Sequence, residues 1–344
     1  MRCYSIHDII TFQILSGTIP KRMEIEYANF QTNLRNPPDF TLELGKFKPS
    51  NEDCQVIDHT YYIKKNYFYC KDSYKFGKWE IQITGLELDK TNVQLWTNSV
   101  GTFAADMFIC MFFIDFLIRF KLERKGYSVI HASAMSKDNK GFLFPSQSGA
   151  GKTTTALYLS DEGYDYLGDD FVILHDGELY SYPSALNLFS YNLNPAIKKN
   201  LSMAENILLS VKNALYIITA RKIKIFTKMN PKILPGLHVV DKATLKALYL
   251  LAQGDEFAVS EINPVPVTNS IAINQRMESY PFFKYLLEYS YIFPDSSIAR
   301  HWEVCEKNLI ENLKGAVKYY NVRLPKKYNK DIFQKFKEVI ECMN

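Results

Sequence analysis

Cysteine is scarce and unpatterned in this chain. Six residues in 344 (Cys3, Cys54, Cys70, Cys110, Cys305 and Cys342) show neither CxxC nor finger-type spacing. That excludes a disulfide-stapled scaffold and a zinc-finger array, and reads as reduced, mostly buried thiols. No sign of charge dominates: 41 Lys+Arg stand against 37 Asp+Glu, a net +4 that is too small and too dispersed for a nucleic-acid partner. There are no internal repeats and no low-complexity tracts. A run long enough to span a membrane is missing too. The most hydrophobic segment, residues 102–125, is broken by Asp106 and Asp115 and turns basic at its end, which favours a buried helix over a span. The first residues, MRCYSIHDIITFQIL, lack an extended apolar core and carry His7 and Asp8, so they do not read as a signal peptide. These absences point to a cytoplasmic protein with no membrane partner.

What is present is ordinary for a globular chain: 47% hydrophobic and 23% charged residues, with aromatics at 14%. The length suffices for a large core and predicts two units. Residues 1–100 alternate apolar and polar in short runs, at Met23–Tyr27, Phe40–Leu44, Tyr61–Lys65, Tyr67–Tyr69, Trp79–Ile83 and Val93–Trp96. Breaks rich in Pro, Gly, Asn and Asp separate them, which predicts a small β-rich N-terminal domain. Its role is open between docking a peptide by strand addition and capping the rest of the chain. Residues 102–125 are expected as a connecting helix, and residues 101–344 as the second domain.

The chain is organised around Val129–Leu174. An apolar run containing His131 is followed by Gly141–Pro145, then by the loop Ser146-Gln147-Ser148-Gly149-Ala150-Gly151-Lys152-Thr153 and a helix-period segment from Thr153 and Thr154 to Leu159. Tyr166–Asp170 then leads into Phe171–Leu174. Strand, glycine-rich loop, helix and strand is the order of a mononucleotide site. The two glycines allow positive φ, so that backbone N–H groups turn inward onto a phosphate chain, and the helix dipole points to the same place. Lys152 adds a mobile charge for the β- and γ-phosphates, and the Thr153 hydroxyl is a candidate Mg²⁺ ligand. Ser146 stands where the common pattern has glycine.

Asp169 and Asp170 form the other half of the site. Two adjacent carboxylates at the end of one such unit are costly to bury without a cation or a shared proton. One can hold Mg²⁺ while the other, with its pKa raised by its neighbour, takes a proton from an attacking hydroxyl. A pair that only holds metal is the alternative. His131 is read either as a partner of one aspartate or as a core histidine.

The order His131-Ala-Ser, Ser148–Thr153 and Gly168-Asp-Asp170 resembles the HPr kinase/phosphorylase superfamily. The P-loop of that superfamily is similar to that of ATP-dependent phosphoenolpyruvate carboxykinase. The resemblance is dense over 125–175 and diffuse later, where Leu245–Leu251 and Tyr320–Leu324 still fit the shortened HPr-kinase-like proteins. It implies an α/β P-loop kinase core, C-terminal helices closing it, and an ATP- and Mg²⁺-dependent serine kinase. It also implies roles. The histidine matching His131 contacts the aspartate matching Asp169, the general base, and the aspartate matching Asp170 lies by the metal and phosphates. Ala132 replaces the glycine that follows this histidine in the HPr enzymes, and no glycine- and arginine-rich signature follows Asp170. Those departures argue against reversal and against HPr as acceptor. They leave the likeness to kinases of lasso-peptide clusters, which phosphorylate a precursor peptide on serine. A small-molecule kinase or carboxykinase-like enzyme and a non-catalytic nucleotide-binding regulator are the competing readings.

In the rest of the chain, His175–Glu178 reads as a turn rather than a metal motif, and Pro195–Asn200 and Met203–Val211 as amphipathic helices. Arg221–Lys228 is an alternating basic strand, either a solvated face or a source of charge for a transferring phosphate. Val239–Leu251 is expected in the core. Phe282–Tyr289 and Trp302–Val317 repeat at helical steps, Asn321–Leu324 is a short strand, and Ile332–Met343 is a last helix. Lys326, Lys327, Lys330, Lys335 and Lys337 read as a solvated face.

Overall fold

A computed structural model describes residues 1–74, 77–98, 113–188, 203, 207, 210, 211, 227–234, 236–314, 317–325 and 330–343. The chain divides into two compact units, one formed by Met1–Tyr127 with Arg276–Asn308 and the other by Ser128–Gln275 with Leu309–Asn344. The expected boundary near residue 100 takes no account of the C-terminal segment that belongs with the first unit.

In the first unit, strands β1 (Arg2–Ile6), β2 (Ile10–Ser16), β3 (Gln31–Thr32), β4 (Phe40–Leu44), β5 (Gln55–Ile57), β6 (Tyr61–Lys64), β7 (Tyr67–Tyr74), β8 (Gly77–Thr84) and β9 (Thr91–Thr97) form one sheet. The order is β3-β1-β2-β4-β9-β8-β7-β6-β5. Alternation sends Tyr4, Ile6, Ile10, Phe12 and Ile14 to one buried face. The rings of Tyr4 and Phe12, paired across β1 and β2, stack at 4.6 Å, and Phe12 stacks on Phe40 at 4.9 Å. The outer strands β3 and β5 are only 2 and 3 residues long, so this sheet offers little edge for strand addition.

Met23–Tyr27, expected as a strand, lies in the helix Lys21–Glu26 and the residue after it. Met23, Glu26 and Tyr27 are the buried positions, at helical steps of three and four; Met23 and Tyr27 also fit the apparent alternation, whereas Glu26 fits only the helix. Of the predicted helix 102–125, residues 102–112 lie outside the described residues, and Asp115–Arg124 is helical with Phe116–Glu123 buried all round. The aromatic faces of that helix meet the segment 276–308: Phe113 and Phe116 lie 5.0 and 5.1 Å from Phe282. Tyr285 and Tyr289 donate to Asp72 and Glu87 on the sheet side.

The second unit contains β10 (Ser128–Ile130), β11 (Ala132–Lys137), β12 (Lys140–Pro145), β13 (Asp165–Gly168), β14 (Val172–His175), β15 (Glu178–Tyr180), β16 (Leu186–Leu188), β17 (Thr227–Met229), β18 (Lys242–Gly254), β19 (Ala258–Glu261) and β20 (Lys318–Pro325). The main sheet runs β10-β14-β15-β18-β12-β11-β13, with β20 paired to β18 and β19. It is mixed: β12, β18 and β20 are parallel, while β11 is antiparallel to β12 and β13. Strands β12 and β13 therefore run in the same direction, with β11 between them. β18 sits centrally because its run Ala247–Leu251 is apolar on both faces, the pattern of a strand covered on two sides. Phe142, Phe144, Ala247 and Tyr249 pack on one side with the helices Lys152–Asp161 and Lys330–Met343. Leu143, Leu245 and Leu248 pack on the other with Val267, Ile271, Leu309 and Leu313.

The helix expected over Trp302–Val317 ends at Asn312, and β20 begins at Lys318, ahead of the expected strand. Buried Tyr319, Tyr320, Val322 and Leu324 put apolar side chains on both faces of β20. The predicted helices at 195–200 and 203–211 and residues 221–226 of the basic strand fall outside the described residues, apart from positions 203, 207, 210 and 211. His175–Glu178 forms the expected turn, with both end residues paired across β14 and β15. No helix among the described residues is long and apolar enough to cross a membrane.

Candidate nucleotide and metal site

The loop after β12 runs through two glycines into a helix start. Gly149 and Gly151 hold φ of +89° and +103°, the left-handed region that favours glycine, and Lys152 opens the helix Lys152–Asp161. Ser146 needs no glycine: it forms a parallel bridge to Leu251, an extended conformation open to any residue. Gln147, Ser148 and Gly149 are exposed at the crest of the loop. Ala150, Lys152 and Ser146 are buried beneath it, with Thr153 and Thr154 half-buried at the start of the helix. Two contacts brace the loop: Gln253 Nε2 donates to the Gly149 carbonyl at 2.8 Å, and Ser133 Oγ to the Lys152 carbonyl at 3.3 Å. Lys152 Nζ donates to the Ser146 carbonyl at 2.8 Å, which lays its charge along the inside of the loop.

The end of β13 carries the carboxylates to the same place. Asp169 is 3% exposed, and its Oδ2 accepts from Thr153 Oγ1 at 2.6 Å. Its Oδ1 is buried with no hydrogen-bond partner. Asp170 turns away with φ +76°, a conformation that Asp and Asn tolerate better than most side chains. Its Oδ2 accepts from Asn187 Nδ2 at 2.9 Å, and its Oδ1 lies 3.9 Å from His131 Nε2. The resemblance pairs His131 with Asp169; in this structure the imidazole faces Asp170, and the Thr153 hydroxyl donates to Asp169. The reversal of backbone φ at Asp170 sends the two carboxylates to different neighbours.

The orientation of His131 follows from a residue far away in the chain. Asn274 Nδ2 lies 3.3 Å from the Ser146 carbonyl, which can only accept, so the amide nitrogen must face it. The same nitrogen is 3.1 Å from His131 Nδ1. Nδ1 therefore accepts, and the neutral ring carries its proton on Nε2, toward Asp170. Sequence reasoning missed Asn274, Asn187, Gln253 and Ser133. Asn274, Asn187 and Gln253 lie in no motif, Ser133 stands in the His131-Ala-Ser stretch without a role there, and Asn274 is separated from His131 by 143 positions.

Burial, and then the charge of Asp170, pushes the Asp169 carboxyl up. Burial acts on Asp170 in the same direction, but the facing His131, Lys152 and Lys228 outweigh it and hold Asp170 below the usual carboxylate range. In the ligand-free pair a proton therefore favours Asp169 over Asp170. Lys228, in the basic stretch singled out from sequence, reaches the site because β17 pairs with β16 in the register Asn187↔Lys228. An orphaned carboxylate oxygen beside a threonine hydroxyl is a hard-oxygen set that fits Mg²⁺. The donors that could hold it are Thr153 and Asp169, with Asp170 adjacent.

Gly168 sets the end of β13. A Cβ there would meet the Phe171 carbonyl oxygen at 2.5 Å, so Gly168→Ala must shift the Asp169–Phe171 turn. We expect a loss of about 1–3 kcal/mol in stability and a disproportionate loss of nucleotide affinity. Denaturant melts and nucleotide titrations of the variant check both effects.

No family model matches this sequence, and no curated protein matches it either. Among solved structures, the HPr(Ser) kinase/phosphatase from Coxiella burnetii is similar over 63% of this chain and 90% of its own, at 11% identity and a TM-score of 0.27.

Proposed function

We propose that the chain is an ATP-dependent phosphotransferase acting on a hydroxyl, with a serine of a peptide or protein as acceptor. The observation that carries the reading is the convergence of a phosphate-shaped loop with a buried carboxylate pair, one member bound to the P-loop threonine and the other facing a histidine. The choice of serine rests on the resemblance of residues 125–175 to HPr-kinase-like proteins.

The loop amides from Gln147 to Thr153 and the Lys152 ammonium hold the phosphates. Thr153 and Asp169 would hold Mg²⁺, which when bound would supply charge neutralisation at the phosphates. Asp170 accepts the proton of the acceptor hydroxyl, and His131, locked by Asn274, presents Nε2–H to that carboxylate and orients it. The acceptor oxygen bonds to the γ-phosphorus. The bond from that phosphorus to the β–γ bridging oxygen breaks, and ADP leaves with its electron pair. Lys228 adds positive charge beside Asp170. Such chemistry is positioning and charge neutralisation, which few side chains can supply. A second assignment, with Asp169 as the base, draws on its raised pKa, because a base is most effective with a pKa near the working pH. Geometry favours Asp170: Asp169 is sealed and already bonded to Thr153.

Incubation with γ-labelled ATP, Mg²⁺ and a cell extract tests the reaction. Label on a polypeptide, absent with Lys152→Ala, is the expected result. Label on a small metabolite would replace the acceptor class. No transfer despite ATP binding would make the chain a nucleotide-responsive regulator.

A further inference from the structure

The first unit contains a second group of chemically active side chains that the nucleotide site does not use. Glu123, near the end of the helix Asp115–Arg124, faces His301 and Cys305, one turn apart at the start of the helix His301–Asn312. All three are buried, and their ligand atoms converge. Cys305 Sγ is 3.0 Å from Glu123 Oε2, His301 Nε2 is 3.4 Å from the same oxygen, and Sγ is 3.6 Å from His301 Nε2. Ligands at ordinary zinc distances, about 2.3 Å for sulfur and 2.0–2.1 Å for nitrogen and oxygen, form tetrahedron edges of about 3.3–3.6 Å. Two of the three edges are met as they stand, and the third needs Cys305 and Glu123 to part by about half an ångström once the thiol proton between them is gone.

We propose that Glu123, His301 and Cys305 form a zinc site that ties the two helices together and leaves one coordination position to a small ligand. The donor set argues for the metal. A thiolate, an imidazole and one carboxylate oxygen suit zinc, whereas Mg²⁺ and Ca²⁺ take oxygen. The spacing of four between His301 and Cys305 places both on one helical face. The deprotonated thiol and carboxylate bring two negative charges, which a divalent cation cancels. The surroundings are apolar and aromatic: the His301 ring lies 5.4 Å from Phe283, 5.5 Å from Phe120 and 4.7 Å from Trp302. Asn308 Nδ2 donates to the Glu123 backbone carbonyl at 2.6 Å and holds the helix end in place. Without metal, Glu123 has the Cys305 S–H as a hydrogen-bond donor and the charge of Arg119, one turn earlier, whose Nη1 donates to Ser279 at 2.9 Å.

The inference is independent of the phosphotransfer reading, and its test needs no turnover. Full-length protein purified from zinc-supplemented cells should hold about one equivalent of zinc. Zinc-edge X-ray absorption of that protein should show one sulfur and otherwise light ligands. Removing the metal with a chelator should lower the melting temperature, and added zinc should restore it. Cobalt in place of zinc should give a thiolate-to-metal charge-transfer band that Cys305→Ser loses and Cys342→Ser, at an exposed cysteine, keeps. Two results overturn the site: wild-type protein with below about a tenth of an equivalent of zinc, or an absorption edge with no sulfur or with several. The edge measurement uses wild-type protein, so the test stands even if Cys305→Ser fails to fold.

Discussion

Asp170→Asn is expected to lower kcat by about 10²–10⁴ while leaving nucleotide affinity within a few-fold of the wild type. Asparagine tolerates the positive φ at this position and is nearly isosteric, so the turn at the end of β13 should survive. It can still accept from Asn187 through its amide oxygen, but its NH2 then faces the His131 Nε2–H, and it cannot take a proton at the pH of the assay. A loss confined to kcat, with KM for ATP unchanged, is the signature of a group that acts on the reacting hydroxyl. Single-turnover kinetics beside equilibrium ATP titration make the measurement. If Asp170→Asn turns over normally, the base lies elsewhere, and Asp169 is the first candidate.

Asp169→Asn should behave in the opposite way. Asp169 is bound to Thr153 and buried, so its loss should weaken Mg²⁺-dependent nucleotide binding by at least about tenfold. The pH dependence separates the two residues further. In the ligand-free protein the Asp169 pKa is raised to about 7 by burial and by Asp170. Metal must displace that proton, so wild-type affinity for Mg²⁺–ATP should rise with pH and level off above about 7. The variant should be flat over this range.

Stability should move the other way. An acid whose folded pKa lies above its unfolded value destabilises the fold as pH rises from the unfolded value to the folded one, and the full cost persists above it. Asp169→Asn removes that cost. The ligand-free variant should therefore melt above the wild type at pH 8, with the difference shrinking as pH falls toward 4. Calorimetry at several pH values and titration by isothermal calorimetry read both effects. A variant that melts below the wild type at pH 8 would show that the ionised pair is not a cost to the fold.

The glycine-rich half of the candidate site was legible because its physics is local. Gly149, Gly151, Lys152 and Thr153 act through backbone φ, a helix start and a side chain within one turn, all set by neighbours in sequence. Asp169-Asp170 was legible as a pair for the same reason. Which aspartate does what was not. That depends on the φ of +76° at Asp170, on the β16–β17 pairing that brings in Asn187 and Lys228, and on Asn274 reaching back to His131. The mistaken strand at Met23–Tyr27 has a related cause. Over five residues, a period of 2 and a period of 3.6 can share the same apolar positions, and the packing around Met23, Glu26 and Tyr27 decides between them.

Cysteine shows the same division. Read along the chain, Cys305 belongs to no spacing motif. His301 four residues earlier is half of one, and Glu123, which completes the group, precedes Cys305 by 182 positions. Sequence alone determined the elements set by their own local backbone and pattern: a glycine-rich loop, the helix behind it, and strands apolar enough to be covered on both faces. Tertiary structure decided which carboxylate meets which partner and where three dispersed side chains converge. Those are distances between segments, set by sheet order and helix packing, and no local preference encodes them.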